Sequence, residues 1–286
     1  MGVSASDFSP NGLLAVLRLA SLAVVVGLLA GCNTSSDSSK DAFANDKPAG
    51  DLYNTGLADV NSGDLKSAVK TFDDIDREHP YSEDARKALI MSAFASYRSG
   101  ANDDAIATSK RYLSLYPGSP DAAYADYIIG SSYFRQIPDV TRDQEATKDA
   151  IAALQEVIDR YPDSEYAADA KNKIIVARDQ LAGKEMQIGR YYLEQRQYLA
   201  AINRFKTVVT DYQDTRHVEE ALERLTEANL ALGLTSEAQT AAAVLGHNFP
   251  DSKWYQDAYN LLQTGGIQPR EDKTSWISQL FGARKG

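Results

Sequence analysis

Cysteine is almost absent from these 286 residues: Cys32 stands alone, so neither an internal disulfide nor a thiolate metal cluster can form. Histidine is nearly as scarce, and His79, His217 and His247 lack the close spacing of a zinc site. Cations are outnumbered, 30 Lys and Arg against 40 Asp and Glu, for a net charge of −10. That balance argues against nucleic acid as a partner, because binding a phosphate backbone needs clustered cations to displace counterions. Also missing are GxSxG, P-loop, HExxH and dinucleotide signatures, so no catalytic residue, metal or cofactor is expected. Acidic pairs such as Asp73-Asp74 and Glu219-Glu220 read as solvated helix surface. No segment sustains the alternation of a strand. What is left is binding through surfaces, with proteins as the expected partners.

The first 31 residues hold only two charged side chains, Asp7 and Arg18, and an apolar run from Leu19 to Leu29 that ends in Ala30-Gly31-Cys32. This is the pattern of a signal peptide, and the run falls short of the roughly 20 apolar residues that a membrane-spanning helix needs. Leu29-Ala30-Gly31-Cys32 resembles a bacterial lipobox, in which small residues admit the peptidase and the cysteine thiol receives a diacylglycerol. The resemblance implies cleavage before Cys32 and lipid attachment to it. Because Asn33 rather than aspartate follows, it also implies sorting to the outer membrane. More than one acyl chain, at about 0.8 kcal/mol per buried methylene, makes such an anchor stable. Residues 32–49 are then the lipidated cysteine and a flexible tether rich in Ser, Asp, Asn and Lys, with an r.m.s. reach of about 20 to 25 Å.

Behind the tether the chain repeats. His79-Pro80-Tyr81-Ser82, Tyr116-Pro117-Gly118-Ser119, Tyr161-Pro162-Asp163-Ser164, Tyr212-Gln213-Asp214-Thr215 and Phe249-Pro250-Asp251-Ser252 share one pattern. Six residues after each hydroxyl stands an alanine: Ala88, Ala125, Ala170, Ala221 and Ala258. Twelve residues before each proline, or before Gln213, stands another: Ala68, Ala105, Ala150, Ala201 and Ala238. Proline ends one helix because it lacks an amide donor and restricts the residue before it. The hydroxyl two places on is expected to cap the next helix. The alanines mark where two helix backbones approach too closely for anything larger.

Small and aromatic residues at fixed offsets, Gly56 and Phe72 in the first unit, Gly130 and Tyr133 in the third, and Gly189, Tyr192 and Phe205 in the fourth, make the unit resemble the tetratricopeptide repeat. The intervals between Pro80, Pro117, Pro162, Gln213 and Pro250 all exceed the usual length of about 34 residues. The excess is assigned to a loop over Gln136 to Lys148 and to a long helix after Ser164, with Gly183 as its expected weak point. The fold expected is all-α: an α-solenoid of about five tetratricopeptide-like hairpins over residues 50–264. Trp254, Ala258, Leu261 and Leu262 form a capping helix, and residues 265–286 a tail.

In this repeat class the first helix of each hairpin lines the concave face. Carried over, that gives Tyr53, Leu57 and Asn61 from the first hairpin, Ile90, Phe94, Tyr97 and Arg98 from the second, and Tyr124, Tyr127, Phe134 and Arg135 from the third. Arg98 and Arg135 each stand five residues after the small residue of their helix, Ala93 and Gly130. Aromatic faces beside guanidinium groups suit an extended peptide bearing aromatic side chains and a carboxylate. The same rings would also serve as packing between hairpins, and the arginines as a solvated face. In the tail, Trp276, Ile277, Leu280 and Phe281 fall on one face of a short helix. It docks on the last hairpin, on a partner or at a membrane interface.

Lipobox, polar tether, five repeats with an aromatic-Pro-x-Ser signature and a short tail together resemble the BamD family, helical-repeat lipoproteins of the bacterial outer-membrane β-barrel assembly machinery. The resemblance implies a nonenzymatic scaffold on the periplasmic face of the outer membrane. Its N-terminal hairpins would receive C-terminal segments of unfolded barrel proteins. Its C-terminal hairpins would bind the POTRA region of BamA, in company with other lipoproteins of the machinery. A second resemblance is to the periplasmic cell-division coordinator that works with Tol proteins and carries similar repeats. That family has an N-terminal coiled coil, and no heptad run precedes the repeats here.

Overall fold

The computed structural model describes residues 47–282; Cys32, the signal segment and most of the tether lie outside them. Of two compact units, Met1–Leu52 and Tyr53–Gly286, the second holds the repeats. The described residues contain twelve helices and no strand. Ten pair as hairpins: α1 (Ala49–Ser62) with α2 (Leu65–Glu78), α3 (Glu83–Ser99) with α4 (Asn102–Leu115), α5 (Ala122–Arg135) with α6 (Glu145–Arg160), α7 (Ala167–Glu194) with α8 (Tyr198–Asp211), and α9 (Val218–Ala231) with α10 (Thr235–Asn248). They are followed by α11 (Lys253–Thr264) and α12 (Trp276–Gly282).

Each second helix packs on the first helix that follows it: α2 on α3, α4 on α5, α6 on α7, α8 on α9 and α10 on α11. First helices also meet, α3 on α5, α5 on α7 and α9 on α11. This is the stacking of a solenoid, in which each hairpin buries its apolar face on the next. The ten repeated alanines explain how the helices come so close: every one is 0% exposed. The glycines do the same work against rings. A Cβ on Gly56 would lie 2.5 Å from the Phe72 ring, and one on Gly189 would lie 2.5 Å from Phe205.

The turns repeat in backbone detail. His79, Tyr116, Tyr161, Tyr212 and Phe249 end their helices with φ between −129° and −137° and ψ between 39° and 61°. Tyr212 keeps this geometry although Gln213 replaces the proline, so helix packing holds the turn as well as proline does. After each turn, the residue three places beyond the hydroxyl donates its amide to the hydroxyl residue's carbonyl.

The expectation that all five hydroxyls cap a helix is corrected. Ser82 accepts the Ala85 amide and Ser252 the Trp254 amide, because α3 and α11 start at the next residue. In the other three units two more residues of turn intervene, which moves the hydroxyl off the helix end. Thr215 donates to the Tyr212 carbonyl at 2.8 Å, the Ser164 hydroxyl is buried without a partner among the described residues, and Ser119 lies 2.5 Å from the Tyr112 hydroxyl.

Two further expectations change. The inserted loop is shorter than Gln136 to Lys148, because α6 begins at Glu145. Gln144 stabilises that start by donating to the Asp139 and Arg142 carbonyls and accepting from Thr147. The loop is also tied to α7, where Gln180 donates to the Pro138 carbonyl and Lys184 to that of Thr141. Gly183 does not break α7, which runs unbroken for 28 residues. The penalty of an interior glycine, about 1 kcal/mol, is outweighed by packing along both halves of the helix. Ile174 belongs to a core shared with Leu154 and Val157 of α6. Ala182 and Met186 belong to a C-terminal core that reaches Leu262 and Ile277.

Candidate functional site

The side chains singled out on α3 and α5 come together. Phe94 and Tyr124 have ring centroids 6.3 Å apart, Tyr124 and Tyr166 are at 5.1 Å, and Tyr166 stacks on Tyr127 at 5.0 Å with planes 27° apart. A continuous aromatic ladder therefore runs from α3 across α5 to the residue before α7. Its geometry follows from contact between these first helices, and each ring pair adds about 0.5 to 1.5 kcal/mol beyond its buried area. Burial pushes the Tyr124 phenol far above its ordinary range and, with the Glu165 carboxylate beside it, pushes Tyr166 up to about 12. Both rings are neutral hydrogen-bonding groups at any physiological pH.

Cations border the ladder. The Arg98 guanidinium lies 5.6 Å from the Phe94 ring centre. Arg135 stacks 3.7 Å above Tyr97 and donates to the Tyr97 carbonyl. Lys173 Nζ lies 5.0 Å from the Tyr127 ring and 5.9 Å from Phe134, donates to the Tyr127 hydroxyl at 2.9 Å and pairs with Asp169. Hydrogen bonds from Lys173 and Tyr127 hold the Asp169 carboxyl below the usual carboxylate range.

On the helices, ion pairing separates two arginines from the others. Among the described residues ten arginines lie on helices, and Arg77, Arg86, Arg111, Arg160, Arg178, Arg190, Arg204 and Arg224 all meet a carboxylate within 4.0 Å. Arg98 and Arg135, the two at equivalent places on successive helices, do not. In a chain with ten more acids than bases, these two helical guanidinium groups stand beside an aromatic surface with no carboxylate within 4.0 Å among the described residues. Such a group pairs bidentately with a carboxylate.

The first hairpin contributes less. Tyr53 packs on Phe72 at 5.8 Å within its own hairpin, and burial raises its phenol; Leu57 is half-buried and Asn61 exposed. The four tail residues lie against their own chain: Ile277 and Phe281 enter the C-terminal core, with half-buried Trp276 and Leu280 beside them. Of the three docking places considered, the last hairpin is the one they occupy here. Sequence reasoning missed Tyr166, Asp169 and Lys173. A signal existed for Tyr166, since an aromatic residue two places after the signature hydroxyl recurs as Trp254 after Ser252.

Residues 45–245 match a family model described as an outer membrane lipoprotein, YfiO. The outer membrane protein assembly factor BamD of Caulobacter vibrioides is 47% identical over 246 residues, covering 86% of this chain and 80% of that protein. The chain belongs to the BamD/YfiO family. Other members of similar extent are the assembly factor BamD of Rickettsia prowazekii, 39% identical over 247 residues with 86% and 97% of the two chains covered, and that of Neisseria gonorrhoeae, 34% over 250 residues with 83% and 94% covered. The first four hairpins, the aromatic ladder and the long α7 fall within the residues matched by the family model.

Proposed function

We propose that this chain is a nonenzymatic lipoprotein scaffold of the outer-membrane β-barrel assembly machinery, held at the periplasmic face of the outer membrane by acyl chains on Cys32. The ladder of α3, α5 and Tyr166 receives C-terminal segments of unfolded barrel proteins, with aromatic side chains against the rings and a carboxylate on Arg98 or Arg135. The observation that carries this reading is that pair of helical guanidinium groups beside the ladder with no carboxylate partner among the described residues. The assembly-factor names of the relatives supply the process.

The fourth and fifth hairpins bind the BamA POTRA region. Supporting this is a set of exposed apolar side chains at their within-hairpin turns, Tyr191 and Leu199 in one and Leu232 and Leu234 in the other. Beside the first pair is a cleft of about 240 Å³ lined by Tyr192, Asn203 and Arg204. Other lipoproteins of the machinery attach to the same body. Depletion of this protein in its own bacterium is expected to lower the amount of folded barrel protein in the outer membrane. Unchanged levels, measured by heat-modifiable gel mobility, would contradict the reading.

A further inference from the structure

The family model ends at residue 245, so α11, α12 and the segment between them lie outside the matched stretch. The end of that segment sits on the solenoid as a ligand would. Gly266, at φ 68°, turns the chain after α11. Residues beyond it run back along α10. Gln239 donates its side-chain amide to the Gln268 carbonyl at 2.7 Å and accepts the Arg270 amide on its own carbonyl at 3.3 Å. The Asp272 amide reaches the Thr240 hydroxyl at 3.1 Å, and Ser275 donates to the Glu237 carboxylate at 2.8 Å. Then α12 packs on α10 and buries Ile277 completely. Trp276 meets Lys206 of α8, whose Nζ lies 4.7 Å from the ring centre. One short segment thus engages the second helices of both the fourth and the fifth hairpin.

The fit beneath α12 is incomplete. A cavity of about 180 Å³ remains there, lined by Val244, His247, Asn248, Glu271, Ser278 and Phe281. The Ser278 hydroxyl is buried without a hydrogen-bond partner among the described residues, an arrangement that penalises docking. A seven-residue helix has little stability alone in water, and Gly265-Gly266 gives it a hinge.

We propose that the face formed by α8 and α10 is a helix-binding groove. Residues 267–282 are its resident occupant in cis, displaced by a partner protein's amphipathic helix with large apolar side chains at i, i+1, i+4 and i+5. Directional hydrogen bonds, with Gln239 donating to a peptide carbonyl and accepting from a peptide amide, make the ligand a polypeptide, entering extended and continuing as a helix. Lys206 favours an aromatic ring at the first position. The empty volume at Ser278 leaves room for a larger side chain there, so a displacing helix that fills it fits better than the tail does.

The test uses the full chain and two labelled peptides, residues 267–282 as they stand and with Ser278→Leu. In a chain carrying Ile277→Asp and Phe281→Asp, with helix content verified by circular dichroism, the tail is undocked. It should bind the unaltered peptide at least tenfold more tightly than the unsubstituted chain does. The Ser278→Leu peptide should bind at least threefold more tightly again. Equal binding by both chains, or a weaker Ser278→Leu peptide, overturns the proposal. Hydrogen exchange on the unsubstituted chain gives a readout that no substitution can confound. Tail amides should exchange at least tenfold faster than those of α10, and faster still when the Ser278→Leu peptide is added. Exchange of tail and α10 together, at one rate unaffected by peptide, refutes displacement.

Discussion

Two glycines six residues apart in one helix should respond to the same substitution with opposite sign. Replacing an interior helical glycine with alanine gains about 1 kcal/mol from backbone propensity alone. At Gly183 a Cβ would meet His217 Nε2 at 3.4 Å and Val140 Cγ1 at 3.5 Å, ordinary contacts, so Gly183→Ala should stabilise the chain by about 0.5 to 1 kcal/mol. At Gly189 the new atom would lie 2.5 Å from Phe205 Cε1, against a normal carbon separation of about 3.5 to 4.0 Å. The Phe205 ring is 0% exposed and lies among the buried residues of the C-terminal core. Overpacking of this kind costs about 1 to 3 kcal/mol, so the clash outweighs propensity and Gly189→Ala should lose up to about 2 kcal/mol. Urea unfolding followed by tryptophan fluorescence isolates the relevant region, since the chain's two tryptophans, Trp254 and Trp276, both pack on the C-terminal core. If Gly189→Ala proves as stable as Gly183→Ala, the account of glycine as the seat for a ring is wrong.

Glu223, buried with Arg224, Glu220 and Glu227 around it and Asp257 of α11 nearby, has its carboxyl pushed up to about 7, by burial first and then by its acidic neighbours. Its ordinary value is about 4.5, so the unfolded chain gives up this proton first. Stability from this group is therefore full below about pH 4.5 and is lost as pH rises towards 7, by an amount of the order of 2 kcal/mol. Glu223→Gln should flatten that decline in urea midpoints measured from pH 5 to 8. Tyr112, 0% exposed, shares its hydroxyl with Ser119 at 2.5 Å, Asp121 at 3.1 Å and Arg86 at 3.3 Å. Tyr112→Phe should cost about 1 to 2 kcal/mol in thermal unfolding, and a loss below about 0.3 kcal/mol would show the network to be water-exchangeable.

The hairpin count and the inward faces were legible in the sequence because one physical demand, close approach of two backbones, leaves alanine as the residue at both offsets. The turns were legible because proline acts on its own neighbour. Helix starts were less so: Ser119, Ser164 and Thr215 look like caps, yet two extra residues of turn separate them from α5, α7 and α9, and that register is set by packing of the following helix. Gly183 misled for the same reason, since a local propensity of about 1 kcal/mol is small beside the burial on either side of it. In the candidate site, Arg98 and Arg135 were visible as equivalent positions. Their lack of a carboxylate was not, because it depends on where every acid in the fold ends up. Tyr166, Asp169 and Lys173 reach the ladder from the fourth hairpin, a contact that no spacing within one repeat encodes.

In the proposed division of labour, the two guanidinium groups and the ladder bind client peptides while the C-terminal hairpins bind BamA. Fluorescence anisotropy with a peptide from the C-terminus of a barrel protein tests it, using the unaltered chain and one carrying Arg98→Glu and Arg135→Glu. Loss of charge-assisted bonds worth about 1.5 to 3 kcal/mol predicts at least a tenfold weaker peptide complex, with affinity for the BamA POTRA region unchanged within twofold. Unchanged peptide affinity, or equal losses for both partners, would contradict the account.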